Sequence, residues 1–425
     1  MRRFIQHILR WFTQRILEQY RPTVVGITGS VGKTSTKDAV ACVLGAAFPG
    51  RVRASIKSYN NQLGVPFTVI GLSSAGRSVA GWLQVLGKAA WLIVKKQDYP
   101  KVFVLEMGVD RPGDLEYLLA FVPVKVAVMT AVGEMPVHVE FFSGPEELLR
   151  EKAKLAAAVP ASGYTILNVD DEASAATFRK ASAGAVLTYG FGPQADVRAS
   201  NYSLKPDGAG TIFKLNHKGA TVPVALGDAY GRQQVYAALA GAAAGIAFGL
   251  NLAQIAQALG GYQTSPGRLR RLKGIKGAWI LDDSYNSSPL AVLAALEVLM
   301  ELPAGRRIAV LGDMTELGKY TPEAHTFVGD EAAKAADIIF AVGVRARFMA
   351  EAARRSGMAS ERVREFDTVG EAGRVLQEIL RPEDLVLVKG SQVMRMEKIV
   401  EEVMAEPARA GELLCRQDES WETKA

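Results

Sequence analysis

The feature that most constrains this 425-residue chain is an apolar, β-branched run that leads straight into a glycine-rich turn, within residues 24–37 (VVGITGSVGKTSTK). This order of residue types predicts a buried strand, a phosphate-cradling loop and the start of a helix. Glycines let backbone N–H groups close on phosphate oxygens, Lys33 adds a cation, and the Thr34 hydroxyl suits Mg²⁺. Ile27 replaces the first glycine of the strict eight-residue motif, so a purely structural turn is the alternative. We predict a nucleoside triphosphate site on Gly29, Ser30, Gly32, Lys33, Thr34 and Ser35.

Length and composition bound the class of protein. A chain of 425 residues is too long for one compact core and predicts two or three domains. Its hydrophobic share of 49% and charged share of 22% are those of a soluble globular protein. Cys42 and Cys415 are too far apart for a disulfide framework or a metal knuckle, which indicates a reducing cytoplasm. The net charge of +6 fits anionic lipid or anionic substrates, and we expect no nucleic-acid partner because no basic stripe is interleaved with aromatic residues.

Two apolar and basic segments raise the question of a membrane. Residues 1–22 predict an amphipathic helix that fits either an anionic membrane surface or the surface of its own domain or a partner. Its apolar face comprises Phe4, Ile5, Ile8, Leu9, Phe12, Ile16 and Tyr20, and its basic residues are Arg2, Arg3, Arg10, Arg15 and Arg21. Residues 79–94 predict a second apolar helix, too short to span a bilayer. That helix is either buried or, with Lys95 and Lys96, surface-seeking, so residues 79–96 are a second candidate for peripheral membrane contact.

The rest of the chain alternates strand and helix patterns. Residues 102–105 and 124–130 predict buried strands that end at Glu106 and at a loop with His138, where open α/β sheets bind ligands. Residues 57–66 predict a polar loop that ends in a turn. The remaining predictions are a helix at 146–159 that includes Lys152, short strands and turns at 163–230, an alanine-rich helix at 231–259, and strands at 279–281, 308–311, 338–342 and 385–388. We therefore predict two α/β domains, the second one doubly wound. The predicted divisions are an N-terminal helix (1–22), a nucleotide-binding domain (23–265), a C-terminal domain (266–405) and a polar tail (406–425) that we expect to fray.

Motifs that run in order through residues 24–400 resemble the Mur ligases and, within that family, the MurF branch. The glycine-rich loop and the SPGR turn are shared across the wider family, whereas DDSYN-x-x-P, LGDM-x-ELG and KGS-x-x-M-x-x-E resemble the MurF branch. The other matching pieces are NNQLGVP, LEMGVDRPGD and the segment from His138 to Lys152. The resemblance implies a central P-loop ATPase domain with a mostly parallel sheet, followed by a Rossmann-like C-terminal domain. It also implies a ligase that uses ATP and Mg²⁺ to add D-Ala-D-Ala or a similar amine to a muramoyl peptide through an acyl phosphate.

Three residues gain catalytic or metal-binding roles from this resemblance. Glu106 is a hard oxygen ligand suited to Mg²⁺ beside Thr34, with a capping or salt-bridged acid as the alternative. The resemblance implies that His138 contributes to a second Mg²⁺ site and that Lys152 bears a carbamate made from CO₂. Without it, they would be a surface hydrogen-bonding histidine and a solvated lysine. Lys152 is favoured over Lys154 because a proline lies eight residues beyond it, as in the family pattern.

Further expected contacts lie beyond the domain boundary. We expect Arg268 to reach back to nucleotide phosphates on domain closure, Asp283 to bond ribose hydroxyls, and Tyr285 or Asn286 to border the base. The alternative for this DDSYNSSP segment is a capped strand-to-helix loop. We expect the substrates to contact Asn60, Asn61, Lys389, Ser391 and Arg395.

The chain departs from the family pattern at two places. The family has a His-Asn pair after the Gly-Arg that begins the alanine-rich helix, and there the Asn contacts adenine; here Gln233 and Gln234 follow, so Gln234 is the expected adenine contact. MurF enzymes also have a domain before the P-loop that holds the UDP end of the substrate, whereas this chain has 25 residues before Gly26 and an apolar insertion near residues 75–99. We expect the UDP anchor to be missing and the acceptor to be held through a lipid, a partner protein or its peptide.

Three functional hypotheses follow. The first is a monomeric, cytoplasmic ligase of MurF type. The second is a Mur-type ligase that acts on a lipid-linked or other polymer acceptor, at the inner face of the membrane. The third is a non-catalytic nucleotide-binding scaffold at the membrane, against which the intact Lys33–Thr34 pair and the acidic metal candidates argue.

Overall fold

Two sheets with helices packed on them make up the computed structural model, which describes residues 2–56, 59–76, 78–205, 208–418 and 421, with only the backbone of residues 2 and 3. Positions 57 and 58 of the predicted polar loop, the side chains of Arg2 and Arg3, and residues 419, 420 and 422–425 of the predicted tail lie outside the described residues. The first sheet precedes the turn at residues 265–267 and the second follows it.

The first sheet is mostly parallel. Its strands are β1 (Thr23–Thr28), β2 (Val52–Ala54), β3 (Val102–Glu106), β4 (Val124–Met129), β5 (Tyr164–Asn168), β6 (Ala185–Gly190), β7 (Val197–Leu204), β8 (Gly210–His217) and β9 (Ala220–Gly227). Their spatial order is β2-β3-β1-β4-β5-β6-β7-β8-β9, and the pairs are parallel as far as β7 and antiparallel beyond it. The accompanying helices are α1 (Arg2–Tyr20), α2 (Lys33–Ala47), α3 (Gly64–Ile70), α4 (Val79–Val94), α5 (Asp114–Leu119), α6 (Pro145–Ala157), α7 (Glu172–Ala181), α8 (Arg232–Ala247) and α9 (Leu252–Leu259).

The second sheet has the order β10-β11-β15-β12-β13-β14, with only β10 antiparallel to its neighbour. Its strands are β10 (Arg270–Lys273), β11 (Trp279–Asp283), β12 (Arg306–Gly312), β13 (Ile338–Val342), β14 (Val363–Phe366) and β15 (Asp384–Lys389). Its helices are α10 (Pro289–Glu301), α11 (Thr321–Ala335), α12 (Arg347–Arg355), α13 (Val369–Ile379), α14 (Glu397–Val403) and α15 (Ala410–Leu413). The predicted fold class, a mostly parallel P-loop domain followed by a second α/β domain, is confirmed.

The central strands of the first sheet are apolar on both sides because helices cover both faces. Val24 belongs to a core shared with α1, α3, α4 and α6, whereas its neighbour Val25 belongs to a core shared with α2, α8 and α9. Strands β1, β3 and β4 are parallel neighbours, so their carboxyl ends meet at one edge of the sheet. That edge places the loop after Thr28 beside Glu106 and the segment after Met129.

Helix α1 packs on the first domain. Leu9, Ile16 and Leu17 are buried in the core, and the side chains of Gln19 and Tyr20 bond to the Leu92 carbonyl of α4. Residues 1–22 were expected to lie either on a membrane or on protein. Most of the apolar face of α1 therefore packs on its own domain. Among the described helices, none is both long and apolar enough to cross a bilayer.

Two local predictions were wrong. Residues 64–70 form a short helix rather than a turn, because the Asn61 side chain accepts bonds from the Leu63 and Gly64 amides and Pro66 is tolerated in a first helical turn. The tail does not fray over residues 406–416, because its apolar residues Leu413 and Leu414 are buried against the second sheet.

The backbone conformation of the phosphate loop requires glycine at position 29. The φ of Gly29 is +147°, and a Cβ there would lie 2.0 Å from Thr130 Oγ1. We predict that Gly29→Ala lowers the free energy of unfolding by about 2 kcal/mol and abolishes nucleotide binding. Gly45→Ala in the adjoining α2 is the matched control, because nothing lies within 4 Å of its Cβ position; it should keep both properties. Denaturant unfolding and nucleotide titration check this, and equal behaviour of the two variants would contradict it.

Candidate active site

The phosphate loop begins where β1 ends and closes on the first turn of α2. The amides of Ser30 and Val31 both donate to the Ala131 carbonyl, and Gly32, with φ of +84°, leads into the helix at Lys33. The Lys33 ammonium donates to the carbonyls of Gly29 and Ser30, at 2.9 and 3.3 Å. Burial lowers its pKa, and the nearby Glu106 carboxylate opposes that shift. The loop thus presents a half-buried cation at a helix N-terminus, which is the setting in which proteins bind phosphate.

Thr34 is the centre of a hydrogen-bond chain between the loop and two other segments. Its hydroxyl donates to Glu106 Oε2 and accepts from Arg268 Nη2, each at 3.0 Å. The second oxygen of Glu106 accepts from Asn60 Nδ2, also at 3.0 Å. Glu106 is 2% exposed, so its carboxylate is held by these partners and not by bulk water. The predicted residues Thr34, Glu106 and Arg268 are therefore brought together, and Asn60 joins them.

This arrangement fits a magnesium ion bound partly by phosphate. Among the described residues, no group of three His, Cys, Asp or Glu side chains could hold a metal ion on its own. Mg²⁺ in nucleotide sites commonly takes one or two protein oxygens and completes its octahedron with phosphate oxygens and water. The Thr34 hydroxyl and the Glu106 carboxylate are oxygens of that kind.

Lys152 lies on the other side of the phosphate loop. Its side chain is fully buried, and Nζ donates to the Gly29 carbonyl at 3.0 Å. Burial and then the Lys33 charge hold its pKa well below the ordinary value, whereas Asp110 and Glu151 act in the opposite direction. Lys154 differs, because it pairs with Glu116 and Glu151 at 2.9 Å, and these bonds raise its pKa. The two lysines are thus distinct chemically, although they are two positions apart.

His138 connects the two domains. It has φ of +69° in the loop after β4, and its Nδ1 lies 2.8 Å from Oε2 of Glu316, which follows β12. Its Nε2 lies 3.7 Å from Asp110 Oδ1. The imidazole lowers the pKa of Glu316, against the effect of burial. Asp110 and Glu316 were not singled out from the sequence, although both lie within the quoted LEMGVDRPGD and LGDM-x-ELG motifs.

A cavity between the phosphate loop and the second domain is lined by Ser30, Gly32, Ser35, Gln234, Asp283 and Asn286. The Gln234 amide is already engaged, because Nε2 donates to the Arg268 carbonyl at 3.2 Å and Oε1 accepts from Tyr262 at 2.7 Å. Arg268 stacks over Tyr285, with its guanidinium carbon 4.1 Å from the ring centroid. The cavity thus brings together three residues that were predicted to contact the nucleoside, namely Gln234, Asp283 and Asn286. Gln234 also holds the backbone of Arg268.

Lys389 also lines this cavity. It is buried, and its ammonium donates to Asp283 Oδ2 at 2.6 Å and to the Asn286 carbonyl at 2.8 Å. The second oxygen of Asp283 accepts from the Leu269 amide. The lysine therefore fixes the carboxylate that was predicted to bind ribose.

The remaining predicted substrate residues have structural partners. Ser391 accepts from the Thr315 amide at 2.9 Å, and Arg395 donates to Glu397 at 2.5 Å. Asn61 caps the start of α3. Substrate contact by the five predicted residues stays a prediction: Asn60, Asn61, Lys389, Ser391 and Arg395.

Two family models match successive parts of the chain, and both describe domains of Mur ligases. Residues 27–245 match the Mur ligase middle domain, and residues 267–392 match the Mur ligase glutamate ligase domain. A UDP-N-acetylmuramoyl-tripeptide–D-alanyl-D-alanine ligase of Mycobacterium leprae is 32% identical, with 87% of this chain and 71% of that protein covered. The Bacillus subtilis protein of the same name is 27% identical, with 94% and 79% covered.

Solved structures give the same result for the fold. A crystal structure of MurF from Acinetobacter baumannii superposes with a TM-score of 0.76 at 25% identity, covering 92% of this chain and 79% of that one. MurF from Thermotoga maritima in complex with ADP has the same fold, with a TM-score of 0.75 at 24% identity and coverages of 93% and 83%.

The pairing of His138 with Glu316 makes a prediction about pH. The pKa of Glu316 in the folded protein lies below 4.5, the ordinary value of a glutamate. The stabilisation that ionised Glu316 contributes is therefore complete above pH 4.5, and it is lost as the pH falls through the folded pKa. Glu316→Gln should lower the free energy of unfolding by on the order of 0.5 kcal/mol at neutral pH, since the pair is partly exposed. The difference from wild type should vanish in acid. Glu140→Gln on the same contact loop is the control, and a pH-independent difference would contradict the pairing.

Proposed function

The chain belongs to the Mur ligase family, and from this premise we propose that it is an ATP-dependent amide ligase of MurF type. It would join D-Ala-D-Ala, or a similar amine, to the peptide of a muramoyl precursor in cell-wall synthesis, as a cytoplasmic monomer. The observation that supports this best is the hydrogen-bond chain from Glu106 through Thr34 to Arg268, because it assembles a phosphate loop, a carboxylate suited to Mg²⁺ and a cation from the second domain.

The proposed reaction activates a carboxylate before the amide bond forms. A carboxylate oxygen of the muramoyl peptide attacks the γ-phosphorus of ATP, the bond to the bridging oxygen breaks, and ADP leaves. The amine then attacks the carbonyl carbon of the acyl phosphate, loses a proton, and inorganic phosphate departs. Lys33 and the N-terminus of α2 would neutralise charge on the phosphates, and Arg268 would add a cation from the C-terminal side.

Magnesium is part of this proposal. Thr34 and Glu106 would hold it, and it would supply charge neutralisation on the phosphates. We also propose that His138 contributes to a second ion, as the family resemblance implies. Asp110 and Glu316, which lie beside the imidazole, would orient the ring.

We further propose the carbamate on Lys152. The chemistry requires an unprotonated amine, and the lowered pKa of this buried lysine favours that form. The resulting anion would lie beside Lys33, whose charge now disfavours a second cation there.

The Lys152 proposal predicts opposite results for two neighbouring lysines. Lys152→Met should reduce ligation by at least about tenfold to a hundredfold, by analogy with residues that orient metal ligands. Lys154→Met, the matched control on the exposed side of α6, should stay close to wild type. A ¹³C NMR signal from ¹³C-bicarbonate, present in wild type and absent in Lys152→Met, is the second measurement. Wild-type protein without that signal would contradict the carbamate.

The function itself is tested by phosphate release from ATP in the presence of UDP-linked muramoyl tripeptide, with and without D-Ala-D-Ala, with mass spectrometry of the product. We expect phosphate release that depends on the dipeptide, and a pentapeptide product. Turnover only with a lipid-linked muramoyl peptide would select the second hypothesis. Nucleotide binding without turnover on either acceptor, or with other amines, would overturn the ligase and favour the scaffold.

A further inference from the structure

Helix α4 is apolar on its outward side as well as its inward side. Val79, Leu83, Trp91 and Val94 are 75, 67, 53 and 81% exposed. Their spacing of four, eight and three residues places them along one face of the helix, which we call the outer face of α4. Contiguous exposed apolar surface of this kind marks an interaction site.

The outer face is presented by a firmly anchored helix. On the opposite side, Val85, Ala89 and Leu92 are buried in the core of the first domain. The Ser78 hydroxyl caps the start of the helix, and the Leu92 carbonyl near its end accepts from Tyr20 of α1. The exposure of the outer face therefore does not result from a helix that has come away from the domain.

The segment of the sequence that contains α4 is basic. The sequence from residue 39 to residue 97 contains no Asp or Glu, and it contains Arg51, Arg53, Lys57, Arg77, Lys88, Lys95 and Lys96. Lys95 and Lys96, at the end of α4, are exposed, and the Lys95 ammonium lies 5.3 Å from the centre of the Trp91 ring. The first acid beyond this stretch, Asp98, is paired with Arg51.

The adjacent helix α1 adds residues of the same kind. Phe4 and Trp11 are 70 and 52% exposed, although the opposite side of α1 is buried. Arg15 lies 6.0 Å from the centre of the Trp11 ring and pairs with Glu18 on the same helix. Exposed tryptophan, aliphatic residues and lysine together are typical of segments that lie in the interface of a bilayer.

We propose that the outer face of α4, with Phe4 and Trp11 of α1, docks the protein on an anionic lipid bilayer. The apolar side chains enter the boundary between headgroups and acyl chains, and Lys95 and Lys96 contact lipid phosphates. The helix lies on the membrane and does not cross it, since its 16 residues span about 24 Å, less than the hydrocarbon core. A lipid surface fits better than a protein partner because the exposed apolar residues of α4 end at the exposed Lys95 and Lys96, and α4 contains no acidic residue. The inference does not depend on the ligase reaction.

Co-sedimentation of the full chain with vesicles tests this docking. The probes are vesicles of phosphatidylcholine alone and vesicles that also contain phosphatidylglycerol. We expect binding to the anionic vesicles, weakening as salt is raised, and little binding to the neutral ones. Failure to sediment with anionic vesicles at low salt would overturn the proposal, whatever the ligase assay shows.

Three sets of substitutions connect the binding to the proposed face. Leu83→Asp with Val94→Asp should reduce vesicle binding at least about tenfold, and Lys95→Glu with Lys96→Glu should remove the preference for anionic lipid. Val344→Ser, at a valine of the second domain that is 70% exposed, is the matched control and should bind like wild type. All these positions are exposed, so thermal unfolding should stay unchanged and exclude misfolding as the cause.

Two outcomes would overturn the assignment of this face. Vesicle binding that is equal in wild type and in Leu83→Asp with Val94→Asp would place the lipid contact elsewhere. Sedimentation equilibrium that shows a dimer in wild type and a monomer in this variant would show that a second copy of the chain covers the face.

Discussion

The arrangement of both domains around the site depends on the hydroxyl of Thr34. It donates to Glu106 and accepts from Arg268, so one side chain at the start of α2 contacts the end of β3 and the first residues of the C-terminal domain. The positions of Thr34 and Glu106 follow from the parallel sheet, which brings the ends of β1 and β3 to one edge. The Arg268 carbonyl in turn accepts a hydrogen bond from Gln234, and the Arg268 guanidinium stacks on the Tyr285 ring.

Much of the fold was predictable, because strong local patterns coincide with tertiary burial. The helix at residues 79–94 and the strand at residues 338–342 were predicted with the bounds that the structure shows. Both are apolar runs with polar residues or glycine directly beyond their ends. The phosphate loop was predictable for a different reason. Only glycine tolerates a φ of +147° with Thr130 so close. A glycine at position 29 therefore indicates the backbone conformation of the loop.

The rest depended on long-range contacts that no local pattern contains. The bonds of the Gln234 amide to Tyr262 and Arg268, which are 28 and 34 positions away, were not predicted. Lys389 was predicted to contact a substrate, but its ion pair with Asp283, 106 positions earlier, was not predicted. The buried tail could have been suspected from its Leu-Leu-Cys run, but the surrounding charged residues obscured it. Glu316 became apparent only when the second domain placed it beside His138.

In the proposed ligase, residues of both domains act on one bound nucleotide. A double-mutant cycle measures this directly, with the affinity for ATP in the presence of Mg²⁺ determined calorimetrically for wild type, Thr34→Val, Arg268→Gln and the double variant. Because the two side chains share a hydrogen bond at the phosphate loop, we predict a coupling free energy of about 1 kcal/mol or more. Losses that add to within about 0.3 kcal/mol would show that the two residues act independently and would contradict the account.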